Sequence, residues 1–291
     1  MQEFFTLIEG NIWLSLGVLV LSFVALAKCA DLFVDSSVSF AEKLNIPKLV
    51  IGIVLVSMAT TAPELSVSLM SALEGKPEMA LGNAIGSVIC DDGLALALAG
   101  IFAASPIVII PHVLKTSGLF LIFLEILAFI FVIADNTLNR WEGIILVSLF
   151  VVYISYLYNQ HRMGKFKDDI DDLSENTIDK PLGMLLLMFI ISLAGIIISS
   201  KFVIISATGI AHFFNIPETI IALTLVAHGT SIPEVATCIA SARKNQGAIA
   251  VGNIIGADIM NICWVAGASA IANNLMISRA ETLFMFPAMF V

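Results

Sequence analysis

The apolar residues of this chain fall in long unbroken runs, not in the strict alternation of a strand or the narrow stripe of a soluble amphipathic helix. Such runs cover roughly 11–34, 46–71, 79–103, 113–134, 140–158, 183–209, 216–241 and 248–274, and another begins near 280. A helix needs about 20 mostly apolar residues to cross a bilayer, whereas a barrel strand needs about 10. The pattern therefore predicts eight helical spans and the start of a ninth. Met1 to Gly10 carry Glu3 and Glu9 but no Lys or Arg, so the basic leader of a signal peptide is missing and the first span reads as a retained helix.

Composition sharpens this picture. Hydrophobic residues make up 59% of the chain and the mean hydropathy is +1.00, far above a soluble domain. The expected surroundings are membrane lipid. Nothing in the sequence suggests nucleic-acid binding. The net charge of −9 is concentrated in Asp168, Asp169, Asp171, Asp172, Glu175 and Asp179, which read as a solvated linker in preference to a regulatory calcium site. Cys29, Cys90, Cys238 and Cys263 lie in apolar runs without metal-type spacing and read as packing residues.

The polar residues inside the runs repeat. Thr60-Thr61-Ala62-Pro63-Glu64 returns as Thr230-Ser231-Ile232-Pro233-Glu234, an offset of 234 − 64 = 170. Gly82-Asn83-Ala84-Ile85-Gly86 returns as Gly252-Asn253-Ile254-Ile255-Gly256, and Asn45-Ile46-Pro47 as Asn215-Ile216-Pro217, at the same offset. The expected organisation is a first repeat over 1–158, an acidic linker over 159–181 and an incomplete second repeat over 182–291. An odd number of spans per repeat gives the two halves opposite orientation, as in many secondary transporters. By this symmetry the second repeat should run to about residue 328 (158 + 170), so the chain reads as truncated at its C-terminal end.

Lys and Arg set the orientation. Nine of them (Lys43, Lys48, Lys115, Arg162, Lys165, Lys167, Lys180, Arg243 and Lys244) follow odd-numbered spans, against Lys76, Arg140, Lys201 and Arg279 on the other side. The expectation is a cell membrane of the prokaryotic, inner-membrane kind, with the N-terminus outside and the linker in the cytoplasm.

A carboxylate inside a membrane segment is costly and marks function by default. Glu64 and Glu234 are such residues at equivalent places, with Thr60 and Thr230 four residues before them, a spacing that puts each pair on one helix face. Pro63 and Pro233 should kink or break their spans and free backbone carbonyls, with those of Ser57 and Ala227 as candidates. Twenty-seven residues beyond the glutamates lie Asp91 and Asn261, again symmetry mates. Carboxylates, hydroxyls, amides and carbonyls are hard ligands that suit Na⁺ and Ca²⁺. The glycine pairs 82/86 and 252/256 allow close helix approach. Asp92 and Asp258 lack an acidic counterpart in the other repeat and should face a water-filled cavity or cap a break. Glu125, mid-span outside both motifs, has no assigned role, and His228 reads as a packing residue.

Ala59–Asp92 and Gly229–Asn261, above all Gly229-Thr230-Ser231-Ile232-Pro233-Glu234 and the two Gly-Asn-x-x-Gly stretches, resemble the alpha-repeats of the calcium/cation antiporter superfamily, and most closely its sodium/calcium exchanger branch. The resemblance implies an all-α membrane protein of two inverted-topology repeats, five transmembrane helices each. It implies a central calcium site of Thr60, Glu64, Thr230 and Glu234. It further implies flanking sodium, water or proton positions at Thr61, Ser231, Ser87, Asp91, Asn261 and the carbonyls of Ser57 and Ala227, with spans one and six sliding across a fixed core. Three departures stand out. Ala59 and Thr61 replace the usual Gly and Ser, Ala257 replaces a usual serine, and the acid of the Asn/Asp pair sits in the first repeat instead of the second.

The sequence thus predicts a secondary antiporter exchanging Ca²⁺ for Na⁺ without a cofactor, with Ca²⁺/H⁺ exchange as the alternative. A channel fits less well, because channels commonly ring an oligomer axis and this chain carries its own two-fold repeat. An enzyme is not expected, since neither a zinc-type H-E-x-x-H nor a nucleophile–base pair is present.

Overall fold

The computed structural model describes residues 10–44, 46, 48–107, 114–163, 180–214 and 228–290. Residues 164–179 of the acidic linker predicted over 159–181, the predicted seventh span before His228, and Ala227 with its carbonyl lie outside the described residues; the linker's first residues belong to a helix that runs to Arg162. The described chain is helical. Six helices are long and apolar enough to cross a membrane, and a seventh span consists of two helices bent by 52°.

α1 (Ile12–Lys43) is capped by Asn11, whose side chain accepts from Trp13 N and Leu14 N. It runs well past the apolar stretch that ends near 34. The polar run that follows does not stop the helix, because the serine hydroxyls turn back on it. Ser36 and Ser37 donate to the carbonyl of Phe33 (2.9 and 2.8 Å) and Ser39 to that of Asp35 (2.7 Å). The second span is broken into α2 (Gly52–Thr60) and α3 (Ala62–Leu73). After a turn at Glu74–Lys76 comes α4 (Pro77–Phe102), then α5 (Lys115–Asp135), the two-residue strand β1 (Thr137–Leu138) and α6 (Arg140–Arg162). In that first turn Lys76 bonds Glu74 at 2.7 Å and holds its carboxyl below the ordinary value, a contact too exposed to add much stability.

The second half repeats this order. α7 (Leu182–Phe213), α8 (Ile232–Arg243) and α9 (Gly247–Ala272) begin and end at the repeat offset from α1, α3 and α4. β2 (Leu275–Met276) pairs antiparallel with β1, and α10 (Arg279–Met289) follows behind a capping box formed by Ser278 and Glu281.

α9 is the centre of the molecule: most of its residues are buried, whereas the apolar stretch of α1 is largely exposed. α2, α3, α4 and α8 pack round it. α1 and α7 lie along each other, with Phe33 and Phe189 ring centroids 4.6 Å apart, and touch the rest of the bundle mainly through α8. Large apolar side chains such as Trp13, Val20 and Leu21 point outward while serines, threonines and acids are buried, an arrangement suited to lipid and not to water.

Close approach at the centre depends on Gly256 of α9 and Gly52 of α2. A Cβ on Gly256 would lie 2.8 Å from Ile53 Cα, and Gly252 Cα approaches the Cβ position of Gly52 to 3.1 Å. A Cβ on Gly82 or Gly86 would meet nothing within 4 Å among the described residues, and 222–227, most of the segment equivalent to α2 in the second half, lie outside them. Contacts between loops sort them onto two faces. Ser105 bonds Asn245 (2.9 Å) on one, while β1 meets β2 and Asn273 bonds the carbonyl of Ala72 (3.1 Å) on the other.

Candidate cation site

The break in the second span lies just before Pro63, at Thr61. Pro63 is the second residue of α3, where its missing N–H costs nothing, and Pro233 holds the same place in α8. Glu64 and Glu234 are therefore third residues of new helices. There the positive end of the helix dipole faces them and favours negative charge by about 0.3–1 kcal/mol. The break also overturns the expectation that Thr60 and Glu64 share one helix face, because Thr60 closes α2 and Glu64 opens α3 at a 52° bend.

The threonines instead serve the opposite half. Thr61 Oγ1 donates to Glu234 Oε1 at 3.3 Å, and Thr60 lies beside the same carboxylate. Thr230 lies beside Glu64. Thr60 Oγ1 reaches Asn253 Oδ1 (3.2 Å) and Thr230 Oγ1 reaches Asn83 Oδ1 (3.3 Å), so each threonine is tied to the Gly-Asn-x-x-Gly stretch of the other half. Both amides are held in turn. Asn83 Nδ2 donates to Ser68 Oγ (3.0 Å) and to the carbonyl of Glu64 (3.4 Å), and Asn253 Nδ2 to Cys238 Sγ (3.8 Å). Ser68 and Cys238 are themselves symmetry mates and donate to the carbonyls of Ala80 and Ala250 (3.0 and 3.4 Å).

Asp91 and Asn261 each open a π-helical turn, Asp91–Ala95 in α4 and Asn261–Ala266 in α9. Such single wide turns recur at functional sites. The turn of Asp91 packs on α8, which carries Glu234, and the turn of Asn261 packs on α3, which carries Glu64. Glu234 and Asp91 both act electrostatically on Glu64, and Glu234 on Asp91.

Glu64 and Glu234 are each 1% exposed, and Asp91 is fully buried. Among the described residues neither oxygen of Glu64 or Asp91 has a hydrogen-bond partner, and the same holds for Glu234 Oε2, both polar atoms of Asn261 and the hydroxyls of Ser87 and Ser231. Carboxylates this dry need a cation or a proton. No three His, Cys, Asp or Glu among the described residues form a ready metal cage, so hydroxyl and amide oxygens would have to complete any coordination shell. The carbonyl of Ser57 is less free than the sequence suggests. It accepts the N–H of Thr61 at 2.8 Å, while the Ser57 hydroxyl bonds the carbonyl of Ile53 and lies 3.7 Å from Met260 Sδ.

Sequence reasoning passed over Asn83 and Asn253. The signal was there, since both recur between repeated glycines, but the glycines invited a packing explanation for the whole stretch. Ligand-orienting residues of this kind typically cost about 10- to 100-fold in affinity or activity when removed. Asn253→Ala should therefore lower transport by about that factor while leaving the protein folded, measured as initial flux in vesicles alongside the thermal midpoint.

Comparison with known proteins adds three findings. Residues 14–159 and 184–291 match the family described as sodium/calcium exchanger protein. The inner membrane protein YrbG of Escherichia coli K12 is 33% identical over 262 residues, covering 89% of this chain and 80% of that protein; the sodium/calcium exchanger MaX1 of Methanosarcina acetivorans is 29% identical over 94% of this chain and 87% of that protein. The solved structure of the sodium-calcium exchanger NCX_Mj soaked with Na⁺ and Sr²⁺ superposes with a TM-score of 0.79 at 27% identity, covering 96% of this chain and 89% of that one.

Proposed function

The chain belongs to the sodium/calcium exchanger family of membrane transporters, and from that premise we propose that it exchanges Ca²⁺ for Na⁺ through the site around Glu64 and Glu234. The observation that carries this reading is the crossed pairing of two buried glutamates with hydroxyls of the opposite half. Thr60, Glu64, Thr230 and Glu234 hold Ca²⁺. Thr61, Ser231, Ser87, Asp91, Asn261 and the carbonyls of Ser57 and Ala227 serve the coupling ions. Residues 1–158 and 182–291 act as two inverted repeats joined by the linker from 159 to 181, so that one site opens in turn to each side. α1 and α7, which touch the bundle mainly through α8, are the elements that move.

Proton coupling is the second reading. What favours it is the placement of Asp91 opposite Asn261, the reverse of the pattern usual in the resembling branch. Ca²⁺ uptake into proteoliposomes under an imposed Na⁺ gradient, and then a pH gradient, separates the two. Uptake driven by Na⁺ at constant pH supports the first. Uptake that responds only to the pH gradient replaces it with the second.

The basic residues orient the protein with the linker in the cytoplasm. A cysteine at Met163, exposed at the end of α6, should react with impermeant reagents from the cytoplasmic side in a background lacking the native cysteines. Reaction from outside overturns that orientation.

A further inference from the structure

Three acids outside the central group converge from three separate helices. Asp258 lies on α9, Asp92 in the π-helical turn of α4 and Glu125 midway along α5, and α9 packs against both of the others. Asp258 is fully buried and Glu125 is 4% exposed. The carboxyl groups of Asp92 and Asp258 meet within hydrogen-bonding reach, yet neither oxygen of Asp258 finds a donor among the described residues. The groups acting electrostatically on Asp258 are Asp92, Asp91 and Glu125, all acids. Nothing in the repeat requires this cluster. The position equivalent to Asp258 is the buried Val88 (258 − 170), and the position equivalent to Asp92 is the buried Ile262 (92 + 170).

A buried carboxylate facing another carboxylate is strongly unfavourable unless the two share a proton or a cation lies between them. A shared proton would also join Asp92 to Asp258, and a measurement of bound Ca²⁺ separates a proton from an ion. A divalent ion neutralises two acids at once. The three carboxyl groups do not close into a cage for a bare ion. Two carboxyl groups that meet, with a third acting on them from α5, are instead the protein contribution expected for a hard cation that keeps part of its water shell.

We propose that Asp258, Asp92 and Glu125 form a second cation site, beside the central one and drawn from both halves but without acidic symmetry mates for Asp258 and Asp92, that holds a divalent ion with part of its hydration. The site borders Asp91, so an ion there is placed to precede or follow the ion at Glu64 and Glu234 along one path. The proposal does not depend on which ion couples transport.

The test is equilibrium binding of radioactive Ca²⁺ to the purified full chain. Glu64→Gln with Glu234→Gln should remove the central site and leave a single Ca²⁺ bound per chain. Adding Asp258→Asn should abolish that remainder, and adding Glu125→Gln in its place should weaken it about tenfold. The Glu125 variant keeps the test decisive if Asp258→Asn misfolds. Absence of bound Ca²⁺ in the double variant, or residual binding unchanged by either further substitution, overturns the second site. A double variant that binds as much Ca²⁺ as the wild type counts instead against the central assignment.

Discussion

Glutamine in place of Glu64 or Glu234 is expected to abolish Ca²⁺ exchange and to leave the helices in place. The side chains are nearly isosteric, and each glutamate is 1% exposed at the first turn of a half-helix. What changes is charge. Removing one partner from a buried charge contact costs about 2–5 kcal/mol, which is roughly 30-fold or more in affinity. Transport should fall further, because the site must hold the ion while either face is open. Stability should move the other way in the absence of ions. An unpartnered buried carboxylate is unfavourable and its amide less so, so the variants should melt no lower than the wild type. Added Ca²⁺ should stabilise the wild type by about 2.7 kcal/mol at a hundred times its dissociation constant, and the variants by far less. Flux in proteoliposomes and thermal midpoints with and without Ca²⁺ check both halves. Normal flux in either variant removes that glutamate from the site.

The candidate site itself was legible in the sequence, because a carboxylate repeated at a fixed offset inside apolar runs is too costly to persist without a function. The repeat offset, read from Glu64 and Glu234, also relates the ends of α1 to those of α7, which no motif marks. Hydropathy placed the spans well where apolar residues end abruptly and poorly at Ser36–Ser39, where hydroxyls bonded to their own helix carry it onward. The pairing within the site was not legible. Spacing along a helix suggested that Thr60 serves Glu64, but a break one residue later hands the threonine to the other half, and no local pattern reports a contact 193 residues away. The same limit hid Glu125. It stands outside both motifs and gains meaning only when α5 is laid against α9.

Asp91 and Asn261 set the remaining large effect. Each opens a wide turn against the helix carrying the opposite half's glutamate, so the two positions are near equivalents with one charge between them. Protons and cations compete for a carboxylate but not for an amide. Wild-type exchange should therefore slow as pH falls and protons occupy the acids, Asp91 among them. Asp91→Asn should cut exchange by at least tenfold, the scale of one lost charge contact, and flatten its dependence on pH. Asn261→Asp should add a fourth acid to the central group and with it a further acid-sensitive step. The double exchange, Asp91→Asn with Asn261→Asp, keeps the number of charges and moves one across the repeat. It should retain more activity than Asp91→Asn alone if the two turns reach one cavity. The measurement is Ca²⁺ flux against pH for all four proteins. A double variant no better than Asp91→Asn means that the positions are not interchangeable and that their turns face separate ions. An unchanged rate and pH profile in Asp91→Asn makes Asp91 a packing residue and returns the charge of the central site to the two glutamates alone.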